Sequence, residues 1–180
     1  GKIELTNKRI GDTALTEYDN IEMEDFLDGE GSSATSTLYS NAVVQEDMSV
    51  QIANPNYPAE GDWIRRTSAP DANELIFDVT CVKGLFKYNG AGKKQEHTVT
   101  FEYRYSVKDA ESFTSPVSVT LSASQTSALR KEIRITGLDG QYDIEVRRIS
   151  EDSDSDKKYD ETWLTAIRSV TYENPINIGN

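Results

Sequence analysis

The sequence predicts an all-β protein, an antiparallel β-sandwich preceded by an extended N-terminal arm. Apolar and polar residues alternate with a period of two in seven or eight segments, and turn residues separate these segments. Helical periodicity is absent throughout the chain. Hydrophobic residues make up only 36% of the 180 residues, but nine tyrosines, five phenylalanines and two tryptophans can anchor a core. Many short strands without helices are typical of a sandwich.

The arm is predicted over residues 1–37 and the sandwich over residues 38–176. The first range contains nine acidic and three basic residues, and its linker-like stretch at 28–33 is rich in glycine and serine. Its few apolar residues cannot form a core alone. We therefore expect the arm, with short strands such as 21–24, to pair with a sheet edge of its own sandwich or of a neighbouring copy. Because the chain begins without methionine, we expect it to be a piece of a longer protein.

Four strands are predicted in the first half of the sandwich. Residues 43–52 form the first, because apolar side chains recur at every second position near its end. Proline-containing turns bound a short edge strand at 62–67. The third strand is the apolar segment 74–82, and a long glycine-rich hairpin loop at 83–95 follows it. The fourth, 97–108, alternates most clearly, and its inner face carries Val99, Phe101, Tyr103 and Tyr105.

Four more strands are predicted in the second half, at residues 117–121, 129–135, 142–148 and 163–172. In the second of these, Lys131 falls in the inward register, and we interpret it as a device that protects an edge from aggregation. In the third, Tyr142, Ile144 and Val146 face inward, whereas the alternate residues are expected to face solvent: Asp143, Glu145 and Arg147.

A turn containing two glycines precedes Tyr142, with Leu138 four residues before the tyrosine. This spacing resembles the tyrosine corner of immunoglobulin-like and fibronectin type III sandwiches, in which the phenol hydroxyl bonds to upstream backbone. The resemblance implies that Leu138 and Tyr142 form a structural corner between the sheets. An ordinary amphipathic strand is the alternative.

Charge and cysteine content exclude several classes of protein. The net charge of −12 argues against nucleic-acid binding and against docking on an anionic membrane. No apolar run is long enough for membrane insertion, and no signal peptide is visible. A single cysteine, Cys81, excludes an internal disulfide framework, and its strand phase predicts a buried structural thiol.

No stretch carries a convincing catalytic, cofactor or metal motif. The glycine-rich loop at 83–95 lacks the phosphate-loop ending, and His97 has no neighbouring metal-ligating partner. A Ser-His-Asp triad stays open in principle, although no nucleophile elbow is present. The segment Asp152–Asp156 has alternating carboxylates but lacks the later glycine and glutamate of a calcium loop, which leaves a weak divalent site as the alternative. The expectation is a protein without catalysis, cofactor or required metal.

Several segments, in this order and spacing, resemble the mid-region of phage tail tip proteins of the lambda protein J type, the host specificity proteins: Ile76–Thr80, Lys83–Asn89, Thr98–Arg104, Gln141–Arg148 and Trp163–Val170. The resemblance implies a fibronectin type III-like sandwich in the trimeric tail tip of a long-tailed phage or prophage. It also implies other tail tip or baseplate proteins as partners, a virion location after synthesis in the bacterial cytoplasm, and receptor contact through other regions. It provides no catalytic residues.

The leading functional hypothesis is a structural assembly domain of the tail tip, involved in tail architecture and host attachment. The alternative is a carbohydrate- or surface-binding module of an adhesin, and an accessory domain of a secreted enzyme comes third. Sugar binding would require an exposed aromatic platform. The candidates, which lie in or beside predicted loops, are Tyr57, Trp63 and Tyr88.

Overall fold

The computed structural model of the protein describes residues 9–10, 13–14, 41–110, 112–152 and 155–172. Within these ranges no helix could span a membrane. The predicted all-β fold class is confirmed, and the strands are β1 (Arg9–Ile10), β2 (Thr13–Ala14), β3 (Ala42–Gln51), β4 (Ile64–Thr67), β5 (Ala72–Cys81), β6 (Phe86–Tyr88), β7 (Lys94–Gln95), β8 (His97–Val107), β9 (Val117–Ala123), β10 (Leu129–Gly140), β11 (Tyr142–Arg148), β12 (Lys158–Tyr159) and β13 (Thr162–Thr171).

Two four-stranded sheets form the body of the protein, which is one compact unit over residues 43–171. The first sheet has the order β10-β5-β13-β3, and the second has the order β4-β11-β8-β9. The pairings of β5 with both neighbours, and all three pairings in the second sheet, are antiparallel. The β10–β11 connection crosses from the first sheet to the second, as the corner predicts.

Strands β4 and β13 lie in different sheets from the first and last strands of an immunoglobulin domain. In that domain the first strand pairs beside strand B and the last strand pairs beside strand F. Here β11, which begins with the corner residue Tyr142, takes the place of strand F, and β5, which pairs with the preceding strand β10, takes the place of strand B. However, β4, which precedes β5 in the chain, pairs with β11, whereas β13, which follows β11, pairs with β5. The chain therefore changes sheet both before and after its central strands.

The core lies between the two sheets and is formed by alternate residues of the inner strands. Phe77 on β5 contacts Tyr103 on β8 edge to face, with ring centroids 5.4 Å apart. Aromatic pairs in this geometry stabilise beyond their buried area. The buried residues of the main cluster are Ile52, Leu75, Phe77, Val79, Phe101, Ile133, Ile135, Leu138, Ile144, Val146, Leu164 and Ile167. Lys131, by contrast, is exposed on the edge strand β10.

The outer faces of the central strands are less exposed to solvent than the alternation predicts. Asp78 on β5 is completely buried beneath Arg130 and Arg168, and the Arg168 Nη2 atom lies 2.9 Å from the Asp78 Oδ2 atom. The hydrogen bond to Asp78 raises the pKa of Arg130. On β11, Asp143 and Glu145 are also buried. The expectation that these two residues face solvent is wrong, because arginines from neighbouring strands cover them.

The prediction of one long loop over residues 83–95 is also wrong, because this stretch contains the two short strands β6 and β7. Strands β6 and β7 from this stretch join β12 in a separate three-stranded sheet with the order β12-β6-β7. Three aromatic rings hold it together: Phe86 stacks on Tyr159 at 4.3 Å, and Tyr88 meets both rings edge on. The short strands show no clear alternation of apolar and polar residues, whereas the three glycines of this stretch are typical of a loop.

Most of the predicted arm lies outside the described residues, including its expected strand at 21–24. The described part is the two-stranded antiparallel hairpin of β1 and β2, in which Arg9 pairs with Ala14 and Ile10 with Thr13.

Candidate functional site

The corner between the sheets contains the predicted pair of residues. Leu138 is 7% exposed and belongs to the core, while the Tyr142 hydroxyl oxygen accepts a hydrogen bond from the Asp139 N–H at 3.3 Å. The Tyr142 N–H donates to the Ser68 hydroxyl at 2.9 Å. Gly137 has a φ of 72°, which is the left-handed conformation that glycine adopts without strain. These bonds fix the chain where it passes from β10 to β11.

A buried arginine organises the other end of β11. The Arg148 side chain is 1% exposed, and its Nη2 atom lies 2.9 Å from the Asp160 Oδ2 atom. Its Nη1 atom donates to the Asp160 carbonyl at 2.6 Å, and its Nε atom donates to the Ser150 carbonyl at 3.3 Å. A guanidinium group can donate five hydrogen bonds in a fixed plane. Arg148 therefore ties the connection between β11 and β13 to the sandwich.

Two further residues, His97 and Gly61, adjoin this network. The His97 Nε2 atom lies 3.1 Å from the same Asp160 oxygen, so the only histidine is part of this buried network. The Gly61 N–H donates to the Arg148 carbonyl at 3.0 Å, and a Cβ atom at Gly61 would lie 2.6 Å from that carbonyl oxygen. Glycine at this position allows the loop before β4 to approach β11 closely. This network holds the β11–β13 connection and the loop before β4 against the end of β11.

An arginine–aromatic cluster covers the outer face of the second sheet; it consists of Trp63, Phe113, Arg65, Arg104 and Arg147. The guanidinium carbons of Arg104 and Arg147 each lie 4.2 Å from the Trp63 ring centre. Arg104 also lies 4.6 Å from the centre of the Phe113 ring, and Arg65 lies 5.0 Å from it. Cation–π contacts of this kind are favourable by about 0.5–1 kcal/mol at exposed sites.

Three carboxylates hold the arginines of this cluster in place, and one of them, Glu145, is buried. Glu145 accepts from Arg65 at 2.8 Å and from Arg104 at 2.6 Å, one arginine on each carboxylate oxygen. Arg147 pairs with Glu102 at 2.8 Å and also with Glu60. Because a buried carboxylate requires such partners, the charge on this face is neutralised within the domain itself.

The three aromatic residues proposed as a sugar platform occupy different environments. The Trp63 ring is engaged by two guanidinium groups. Tyr57, 53% exposed, lies in the loop before β4, and Tyr88, 37% exposed, belongs to the small sheet. Among the described residues, no ring pair joins any two of these three. In that part of the chain the three rings therefore do not stack on one another.

The remaining titratable candidates were compared with the requirements of a metal site over the described ranges. Within them, no three histidine, cysteine or acidic side chains are placed to hold a metal ion. The loop at Asp152–Asp156 is described only in part, since residues 153 and 154 lie outside the described ranges. Cys81 is buried and free, and burial raises the pKa of its thiol. A buried thiol with a raised pKa is a poor nucleophile.

The comparison with protein families agrees with the sandwich. Residues 42–173 match the family described as tip attachment protein J, FNIII-A domain. The chain belongs to this family. The matched range runs from the first residue of β3 to just beyond β13, so it includes both main sheets. A comparison with curated proteins gave no match.

Membership of the tip attachment protein J family confirms the predicted resemblance and the fibronectin type III-like sandwich. The chain is thus a domain of a phage tail tip protein, which is a component of the virion. Sequence reasoning missed Arg148 and the arginine–aromatic cluster as organising features. One signal could have revealed Arg148: it continues the inward register of Tyr142, Ile144 and Val146, where a charged residue requires a buried partner.

Proposed function

We propose that this domain is a structural assembly module of the tail tip and contributes to tail architecture and to host attachment. The family match over residues 42–173 carries the proposal. The internal neutralisation of Asp78 and Glu145 supports it, because a surface whose charges are held by its own arginines is rigid. A rigid module suits a role as a spacer or contact element within a larger particle.

The partners follow from the same role. We propose that the domain meets other tail tip or baseplate proteins, that it is present as a homotrimer in the intact tail, and that other regions of the protein contact the bacterial receptor. The protein would be made in the bacterial cytoplasm and then incorporated into the virion. We also propose that the domain is not an enzyme and requires no cofactor.

The alternative role, sugar binding by an adhesin-like module, receives less support from the geometry. A platform needs aromatic faces that are open to the ligand. The Trp63 ring instead contacts Arg104 and Arg147 at 4.2 Å, and Tyr88 packs against Phe86 and Tyr159. These contacts use the rings for internal packing and favour the assembly role.

Electron microscopy of the intact particle tests the proposal. A short peptide tag would be inserted between Gly90 and Ala91, because both residues are exposed and a Cβ atom at Gly90 would meet no other atom within 4 Å. We expect labelled density at the tail tip in three copies around the tail axis, and untagged particles serve as the control. Density elsewhere on the virion, or in a single copy, would contradict the proposed location or the trimer.

A further inference from the structure

Charge is distributed unevenly over the four edge strands of the two main sheets. Strand β10 has five charged residues in twelve, and β4 has two in four, both arginines. Strand β9 has none in seven, and β3 has none before Glu46. Natural proteins place charged residues on edge strands to prevent pairing with other chains. The β9 edge and the first four residues of the β3 edge, which precede Glu46 and Asp47, therefore lack this protection.

The β9 edge lies within the longest uncharged stretch of the chain, residues 112–129, although 28% of all residues are charged. Its hydroxyl residues Ser118, Thr120 and Ser122 are exposed on the outer face, and Val119 and Leu121 on the other face are only half-buried. On one side, β9 pairs with β8 from Val117 to Ala123. On its other side, no strand of the described chain pairs with it.

The start of β3 lies at the end of the second-longest uncharged stretch, residues 31–45. Val43 is 56% exposed and Val44 is 57% exposed. Because neighbouring residues of a strand point to opposite faces, this part of β3 is covered on neither face. As on β9, the described chain supplies a neighbour on one side only, and this neighbour is β13.

We propose that the β9 edge of one copy of this chain pairs with residues 43–45 on the β3 edge of a second copy. Two copies that each carry a net charge of −12 repel one another, so contact is favoured where both surfaces are uncharged. An added strand gains main-chain hydrogen bonds, and Val44 or Val43 would cover the half-buried flank of Val119 and Leu121.

The two edges belong to different sheets, so each copy offers both halves of the contact. Such a heterologous contact closes into a ring when the rotation between copies permits it. The inference rests on the assembly role proposed above, because it names the surface through which copies in the tail tip would meet. In a trimer the same contact would occur three times.

A mixing experiment with the full chain tests this pairing. Thr120→Asp places a charge on the β9 edge, and Val44→Asp places one on the β3 edge. We expect the parent chain to associate as its concentration approaches the millimolar range, and each variant alone to remain a monomer by sedimentation equilibrium. An equimolar mixture should form a one-to-one dimer and nothing larger, since only one intact β9 edge and one intact β3 edge can meet.

The matched control is Thr98→Asp, which adds the same charge to the same sheet face on β8, one strand away from the edge; it should associate like the parent. Ser118→Asp and Val43→Asp replace either variant if its thermal unfolding shows that it is not folded. A monomeric parent or a monomeric mixture would overturn the proposal. Association of Val44→Asp alone would indicate β9 pairing with itself, and association of Thr120→Asp alone would indicate the same for β3. Both results contradict the proposed contact while leaving the tail tip location, tested on particles, unaffected.

Discussion

Replacing Arg148 by methionine should destabilise the sandwich strongly. Methionine occupies a similar volume but removes the guanidinium group that holds Asp160 and the carbonyl groups of the β11–β13 connection. The Asp160 side chain is only 4% exposed, and after the substitution it would keep the contact with the His97 Nε2 atom at 3.1 Å. The substitution therefore leaves a buried carboxylate without its main counter-ion.

Removing one partner of a buried ion pair typically costs about 3–5 kcal/mol of stability. For a chain of this size, each 1 kcal/mol lowers the melting temperature by about 2–4 °C, so the expected decrease is about 6–20 °C. Asp160→Asn should cost less, because the backbone carbonyls still accept from Arg148. The double variant should be more stable than the sum of the two single changes, by about 0.5–3 kcal/mol.

Urea denaturation followed by tryptophan fluorescence at neutral pH measures these differences. Lys131→Met is the matched control, because it also removes a cationic side chain, but one that is exposed on the edge strand β10. The control should stay within about 0.5 kcal/mol of the parent, as for most surface substitutions. If the free energy of unfolding of Arg148→Met is within about 1 kcal/mol of that of the parent, the Arg148 network does not stabilise the connection and this explanation is wrong.

Three further predictions concern single side chains. Tyr142→Phe should lower the free energy of unfolding by about 1 kcal/mol, because a backbone N–H loses its acceptor, whereas Tyr105→Phe should change it less; equal urea midpoints for Tyr142→Phe and the parent would contradict the corner. Cys81 should react with a thiol reagent at alkaline pH only at the rate at which the fold opens, because it is buried with a raised pKa; rapid labelling of the native protein would refute this. Lys83 lowers the pKa of Glu161, so the stability from this pair is present above the carboxyl pKa of about 4 in the unfolded chain and is lost as pH falls through the lower folded value. Lys83→Met should therefore cost less than about 1 kcal/mol at pH 7, and urea titrations should show that this difference disappears at low pH.

The period-two alternation predicted the core of the sandwich well. Val99, Phe101 and Tyr103 face inward, as the sequence indicates, because alternate side chains of a strand point to the same face of the sheet. The eight predicted strands correspond to the eight strands of the two main sheets, with end points that differ by a few residues. Alternation cannot indicate which strands pair, so the exchange of β4 and β13 between the sheets was not predictable.

The outer faces were predicted less well, since burial there depends on residues distant in sequence. Glu145 looks like a solvent-facing acid in its strand, but Arg65 lies 80 positions earlier and Arg104 lies 41 positions earlier in the chain. Trp63 looks like a loop aromatic for the same reason. Its arginine partners become neighbours only when β4, β8 and β11 assemble into a sheet. A single sequence indicates local patterns, whereas these contacts depend on which strands become neighbours in the sheet.

The adjacency of β3 and β13 has a mechanical consequence for a domain within a longer tail protein. The Ile52 N–H donates to the Thr162 carbonyl at 2.8 Å, so the end of β3 lies beside the start of β13 and the two strands run in opposite directions. The chain therefore enters and leaves the sandwich at the same end of one sheet. A pulling force applied through both ends would open this strand pair one hydrogen bond after another, before it loads the core. Units whose ends lie side by side are also easily inserted or exchanged, because the spacing of the flanking segments stays the same.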